Sequence, residues 1–105
     1  MEGVENYIEN KTEEIISSPS FQNIEEEKKK SLRKKINTHL NRMVIETFVN
    51  RLDERDARRL TNLIKNSPEK AKKELDKLAA STPDLAKDLE QRIDKEAEKF
   101  KSLGV

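Results

Sequence analysis

Residues 32–52 read LRKKINTHLNRMVIETFVNRL, and this stretch decides the fold. Leu32, Ile36, Leu40, Met43, Val44, Thr47, Phe48 and Leu52 follow one another at steps of three or four, which places them on one face of an α-helix. A stripe of that length has to be covered by other elements, because a helix cannot bury its own face. Upstream, the run EEEKKKS over residues 25–31 has no apolar side chain. Glu25 and Glu26 nevertheless stand three and four residues before Lys28, Lys29 and Lys30, pairs that each support a helix by about 0.2–0.5 kcal/mol. The second helix is therefore expected from about Gln22 to Leu52, with a solvated first third.

On the N-terminal side, Val4, Tyr7, Ile8, Thr12, Ile15 and Ile16 form a narrower stripe, with acids between them, so an amphipathic helix is expected from Gly3 to Ser17. Ser17-Ser18-Pro19-Ser20 ends it, since proline disfavours helical geometry in the residue before it. On the C-terminal side, Asp53 reads as an N-cap ahead of Ala57, Leu60, Leu63 and Ile64. Ser67-Pro68-Glu69 and Thr82-Pro83-Asp84 repeat the same punctuation: a capping residue, then proline at the first helical position, where its missing N–H costs nothing. They open a fourth helix with Ala71, Leu75, Leu78 and Ala79, and a fifth with Leu85, Leu89, Ile93, Ala97 and Phe100, which Gly104 could end.

No segment alternates apolar and polar residues, so the fold class is all-α: a small bundle of about five helices with a long second helix and an N-terminal amphipathic helix. One domain fits the length, organised as an acidic helix and turn over 1–27 and a bundle over 28–105. The expected core is Leu40, Val44, Phe48, Leu52, Leu60, Leu63, Ile64, Leu75, Leu78, Leu85, Leu89, Ile93 and Phe100. Helix one and the charged start of helix two are expected to extend from it.

Phe48, Arg51-Leu52-Asp53, Leu60, Leu63, the short helix after Pro68, Pro83-Asp84-Leu85, Leu89 and Phe100 together resemble a small all-helical domain family of unknown function from small-genome bacteria. The resemblance covers residues 40–101 and implies the fold class; it implies no activity, cofactor or ligand.

Composition narrows the function. The chain of 105 residues has no cysteine, so disulfides, thiolate metal sites and cysteine nucleophiles are excluded. Twenty-five residues are Leu, Ile, Val or Phe, enough for a modest core. The first sixteen residues, MEGVENYIENKTEEII, lack the positive start and apolar run of a signal peptide, and no stretch is apolar enough to span a bilayer. A cytoplasmic protein with no membrane partner is expected.

His39 is the lone histidine, expected to be partly buried and hydrogen-bonded at the edge of the stripe, without a metal-binding or general-base role. Asp53, Glu54 and Asp56 lack the glycine and distal glutamate of a calcium loop and read as capping residues. The only glycines, Gly3 and Gly104, leave no phosphate-cradling loop inside the chain. No catalytic residue, cofactor or small-molecule substrate is expected, and the chain reads as a non-enzyme.

Charge is the feature that speaks to partners. Residues 1–27 hold eight acids and one lysine, residues 28–65 twelve bases and four acids, and residues 66–105 nine of each, so a net charge of +1 conceals a polarised chain. Two readings follow. In the first, a non-enzymatic interaction or accessory protein docks helix one on another protein or a second copy, through Val4, Tyr7, Ile8, Ile15, Ile16, Phe21 and Ile24. In the alternative, Lys28, Lys29, Lys30, Arg33, Lys34 and Lys35, extended by Arg42, Arg51, Arg55, Arg58 and Arg59, form a basic strip for nucleic acid or a ribosome. The competing account of the strip is that acidic helix one and Glu25 to Glu27 neutralise it within the chain, and that the lysines keep a small helical protein soluble. If that arm covers the strip reversibly, deleting residues 1–27 should tighten binding to nucleic acid.

Overall fold

The computed structural model describes residues 3–103. The described chain is all helical, in five α-helices and one 3-10 turn: α1 (Val4–Ile16), the turn Pro19–Phe21, α2 (Glu26–Arg51), α3 (Glu54–Asn66), α4 (Pro68–Ser81) and α5 (Pro83–Leu103). None of these helices is long and apolar enough to cross a membrane. The body is elongated, 46 × 28 × 20 Å, because α2 alone, at 26 residues, runs about 39 Å.

The corners are short, and their hydrogen bonds explain how so little chain turns a helix. At Leu52-Asp53 the Asp53 carboxylate accepts from the Asp56 N–H at 2.8 Å, as its capping role predicts. Ser67 is the whole corner between α3 and α4. Its N–H donates to the Leu63 carbonyl at 2.7 Å, and its carbonyl accepts from the Ala71 N–H at 3.0 Å. The expected cap therefore operates through the backbone; the Ser67 hydroxyl makes no capping bond. Thr82 turns α4 into α5 in the same way, its carbonyl accepting from Leu85 and Ala86. The start of α2 differs from the expectation: residues 22–25 form turns, and the helix begins at Glu26. Phe21 is buried and Ile24 packs on the core, so the chain must curl inward through this segment before it can run straight.

The largest correction concerns α1. It does not extend from the bundle but forms one of its walls, against α2 and α5 along most of its length and against α4 near its start. Ile8, Ile15 and Phe21 are 0% exposed, and Val4, Thr12 and Ile16 are buried with them. They join Ile36, Leu40, Val44 and Phe48 of α2 and Leu85, Leu89, Ile93 and Ala97 of α5 in one core. The physical reason is area. The α2 and α5 stripes need a third apolar surface, and α3 supplies only one buried side chain, Leu60. Thr12 is tolerated there because its hydroxyl donates to the Ile8 carbonyl at 2.8 Å. Of the expected core, Leu52, Ile64, Leu78 and Phe100 pack on its rim, and Leu63 is half-buried.

Polar contacts lock α1 in place. The Tyr7 hydroxyl donates to Asp94 of α5 at 2.7 Å, and Lys11 joins the same carboxylate at 3.0 Å. Lys101 meets Glu14 at 2.9 Å, and Lys72 of α4 meets Glu5 at 3.1 Å. Gly3 offers α1 no side-chain cap, so Asp76 supplies one from 72 residues away, accepting from the Val4 N–H at 2.7 Å.

Candidate anion-binding face

The seven residues expected to dock a partner separate clearly. Val4, Ile8, Ile15, Ile16 and Phe21 are buried in the chain's own core, and Tyr7 and Ile24 are half-buried against it. In this fold the occupant of the α1 stripe is α2 together with α5. The front segment is therefore not free to dock a partner or a second copy, and deleting 1–27 would dismantle the core instead of uncovering a surface.

The six bases of the strip also separate. Arg33 forms an ion pair with Glu13 of α1, and Lys29 lies 3.8 Å from Glu26 one turn earlier. Lys28, Lys30, Lys34 and Lys35 are exposed, and among the described residues none of them lies within ion-pair distance of a carboxylate. Arg42 shares that condition. The proposed neutralisation by helix one thus reduces to one contact, Glu13 with Arg33. Glu5 is engaged by Lys72, and Glu14 by Lys11 and Lys101, on other sides of α1.

Helical geometry sets these cations on one side of α2. Leu32, Ile36, Leu40, Val44 and Phe48 face inward, so the opposite side carries Lys34, Thr38 and Arg42 at steps of four, with Lys30 one turn before and Lys35 beside them. From Lys28 to Arg42 the row spans about 21 Å. Shallow troughs run along it, walled by Lys30, Lys34, Asn37, Thr38, Asn41 and Arg42, with Glu9 and Glu13 of α1 and Glu46 of α2 also on their walls. The Asn41 amide donates to the Asn37 carbonyl and side chain at 2.9 and 2.8 Å, which steadies the middle of that wall. Thr38, Asn37 and Asn41 were not singled out from the sequence. The signal was there in the four-residue step from Lys34 through Thr38 to Arg42.

The strip does not continue into α3. Arg51 meets Asp88 at 3.5 Å, Arg58 pairs with Glu54, and Arg59 meets Glu74 at 2.7 Å. Arg55 stands beside Asp53, Glu54 and Asp56 at the acidic start of that helix. The cationic row of α2 therefore stops before α3, while α4 carries its own exposed lysines outside ion-pair distance among the described residues, Lys70, Lys73 and Lys77.

His39 departs from its expectation of being partly buried and hydrogen-bonded. Its side chain is 49% exposed, stands edge-on to the Phe100 ring with centroids 5.5 Å apart, and keeps Nε2 3.6 Å from Glu96. That geometry anchors the imidazole at the α2–α5 seam. Among the described residues no three His, Asp or Glu side chains gather as metal ligands.

No protein-family model, curated protein or solved structure matches the chain.

Proposed function

We propose that this chain is a binding protein without enzymatic activity that engages nucleic acid through the outer face of α2. What supports the reading is a single observation: five cations on α2, Lys28, Lys30, Lys34, Lys35 and Arg42, are exposed and lie outside ion-pair distance of any carboxylate among the described residues. Left unpaired, they sum to a local positive field that attracts a polyanion.

Salt dependence tests this. Five phosphates neutralised on a duplex give a log–log slope of about −4 to −5, so affinity for a labelled 20-mer should fall by roughly 200- to 1,000-fold between 50 and 200 mM salt. The triple variant Lys30→Gln, Lys34→Gln, Lys35→Gln should melt like the parent and lose about three from that slope. Binding with a flat salt response, or unchanged in the triple variant, would exclude the reading.

A further inference from the structure

Resting on that reading, we infer that the α2 face takes a nucleic-acid duplex through its two phosphodiester backbones, independent of sequence, and does not take a single strand through its bases. Proteins that hold single strands present rings on which bases stack. The four Phe and Tyr rings are not offered to a strand lying on α2, and the one imidazole there, His39, is engaged with the Phe100 ring in a T-shaped contact at 5.5 Å. Phe21 and Phe48 are fully buried. Tyr7 faces α5, with its hydroxyl on Asp94 and Lys11 over its ring. Phe100 is half-buried, with one edge taken by His39. Arginine can substitute for a ring, but Arg33 is held by Glu13, which leaves Arg42 as the one arginine on the face.

The shape points the same way. The face is the outer side of α2, and the troughs beside it are open and walled mainly by lysine, arginine, asparagine and threonine, with Glu9, Glu13, His39, Ile45 and Glu46 at their edges. Four of the five free cations are lysines, compact charges suited to phosphate oxygens and not to the bidentate reading of base edges that arginine performs. They are held in a fixed row about 21 Å long. A duplex presents roughly 12 phosphates over that distance in an equally fixed array, whereas a flexible strand would have to be ordered against the row.

The experiment compares four labelled ligands with the whole chain at 50 mM salt: a 20-base-pair DNA duplex, a 20-base-pair RNA duplex, and one single strand of each, all in two unrelated sequences. Expected is binding to at least one kind of duplex about tenfold tighter than to its own strand, with the two sequences within about twofold of each other. Arg42→Gln should reduce the duplex salt slope by about one. Whichever duplex binds tighter identifies whether B-form or A-form spacing is preferred; either result supports the inference. A single strand binding as tightly as its duplex would overturn it while leaving the nucleic-acid reading standing. Failure of all four ligands to bind, or displacement of duplex by polyglutamate as effective as by unlabelled duplex at equal charge, would overturn both.

Discussion

The bundle is built in two unequal parts. In one, α1, α2 and α5 bring stripes of fully buried side chains together, among them Ile8, Ile15, Leu40, Phe48, Leu89 and Ile93. In the other, α3 and α4 form a hairpin that contributes Leu60, Ala71, Leu75 and Ala79. The first part excludes water along three helices; the second lies on it through two leucines, two alanines and a few ion pairs. The contrast teaches that stability and length of helix are separate matters here. The first third of α2 is solvated yet helical, while the chain's first helix, short and strongly acidic, is among the most deeply buried elements.

The sharpest way to break the contrast is to remove residues 1–21. That deletion strips six buried side chains from a fold whose whole stability is expected to be about 5–15 kcal/mol, so the remainder should show no cooperative thermal transition by circular dichroism. A cooperative melt near that of the full chain would put α1 outside the core. Next in size, Phe48→Ala should cost about 3–5 kcal/mol in urea unfolding, and Leu60→Ala about 2–4 kcal/mol. Hydrogen exchange separates the two: Leu60→Ala should loosen α3 and part of α4 ahead of global opening, while Phe48→Ala should affect every helix. Smaller still, Asp76→Ala removes the carboxylate that caps α1 and should cost about 1 kcal/mol, with faster exchange confined to the first turn of α1.

The smallest effects are those of pH, and they act at the seam between α1 and α5. Burial, and then the Asp94 carboxylate that accepts its hydroxyl, push Tyr7 up from 10.0 to about 12. The folded chain therefore keeps a proton that the unfolded chain releases. This contribution is whole below pH 10 and disappears as the pH rises towards 12. Glu14 runs the other way, because Lys101 and then Lys11 hold its carboxyl below its ordinary 4.5. Its contribution is whole above that value and is lost as the pH falls through the lowered one. Melting curves across pH should show Tyr7→Phe flattening the alkaline limb and Glu14→Gln the acid limb; parallel curves for parent and variants would contradict both.

Much of this was legible locally. The periods around Leu40 and Leu89 and the Pro68 and Pro83 corners fix helices through neighbours a few residues apart, and the helices fall where those signals put them. The destination of α1 was not legible, because the spacing of Val4, Ile8 and Ile15 states that a face is apolar and not which surface covers it. The deficit was visible in the small apolar content of α3, which leaves α2 and α5 short of a third wall. The pairing of the acids was equally hidden. Asp76 reaches Val4, and Glu14 reaches Lys101, only once the chain is folded. Knowing those destinations is what distinguishes free cations on α2 from bound ones.

Because α1 is closed by α5, biosynthesis imposes an order on events. About 80 residues separate Ile15 from Ala97, so at roughly 5–20 residues per second the ribosome takes about 4–16 s to deliver the second after the first. Until then α2 is the larger part of the cover available to the apolar side of the nascent front helix, whose acidic residues favour its solubility. The interior can close only once α5 has left the exit tunnel, because Leu85, Leu89, Ile93 and Ala97 complete it.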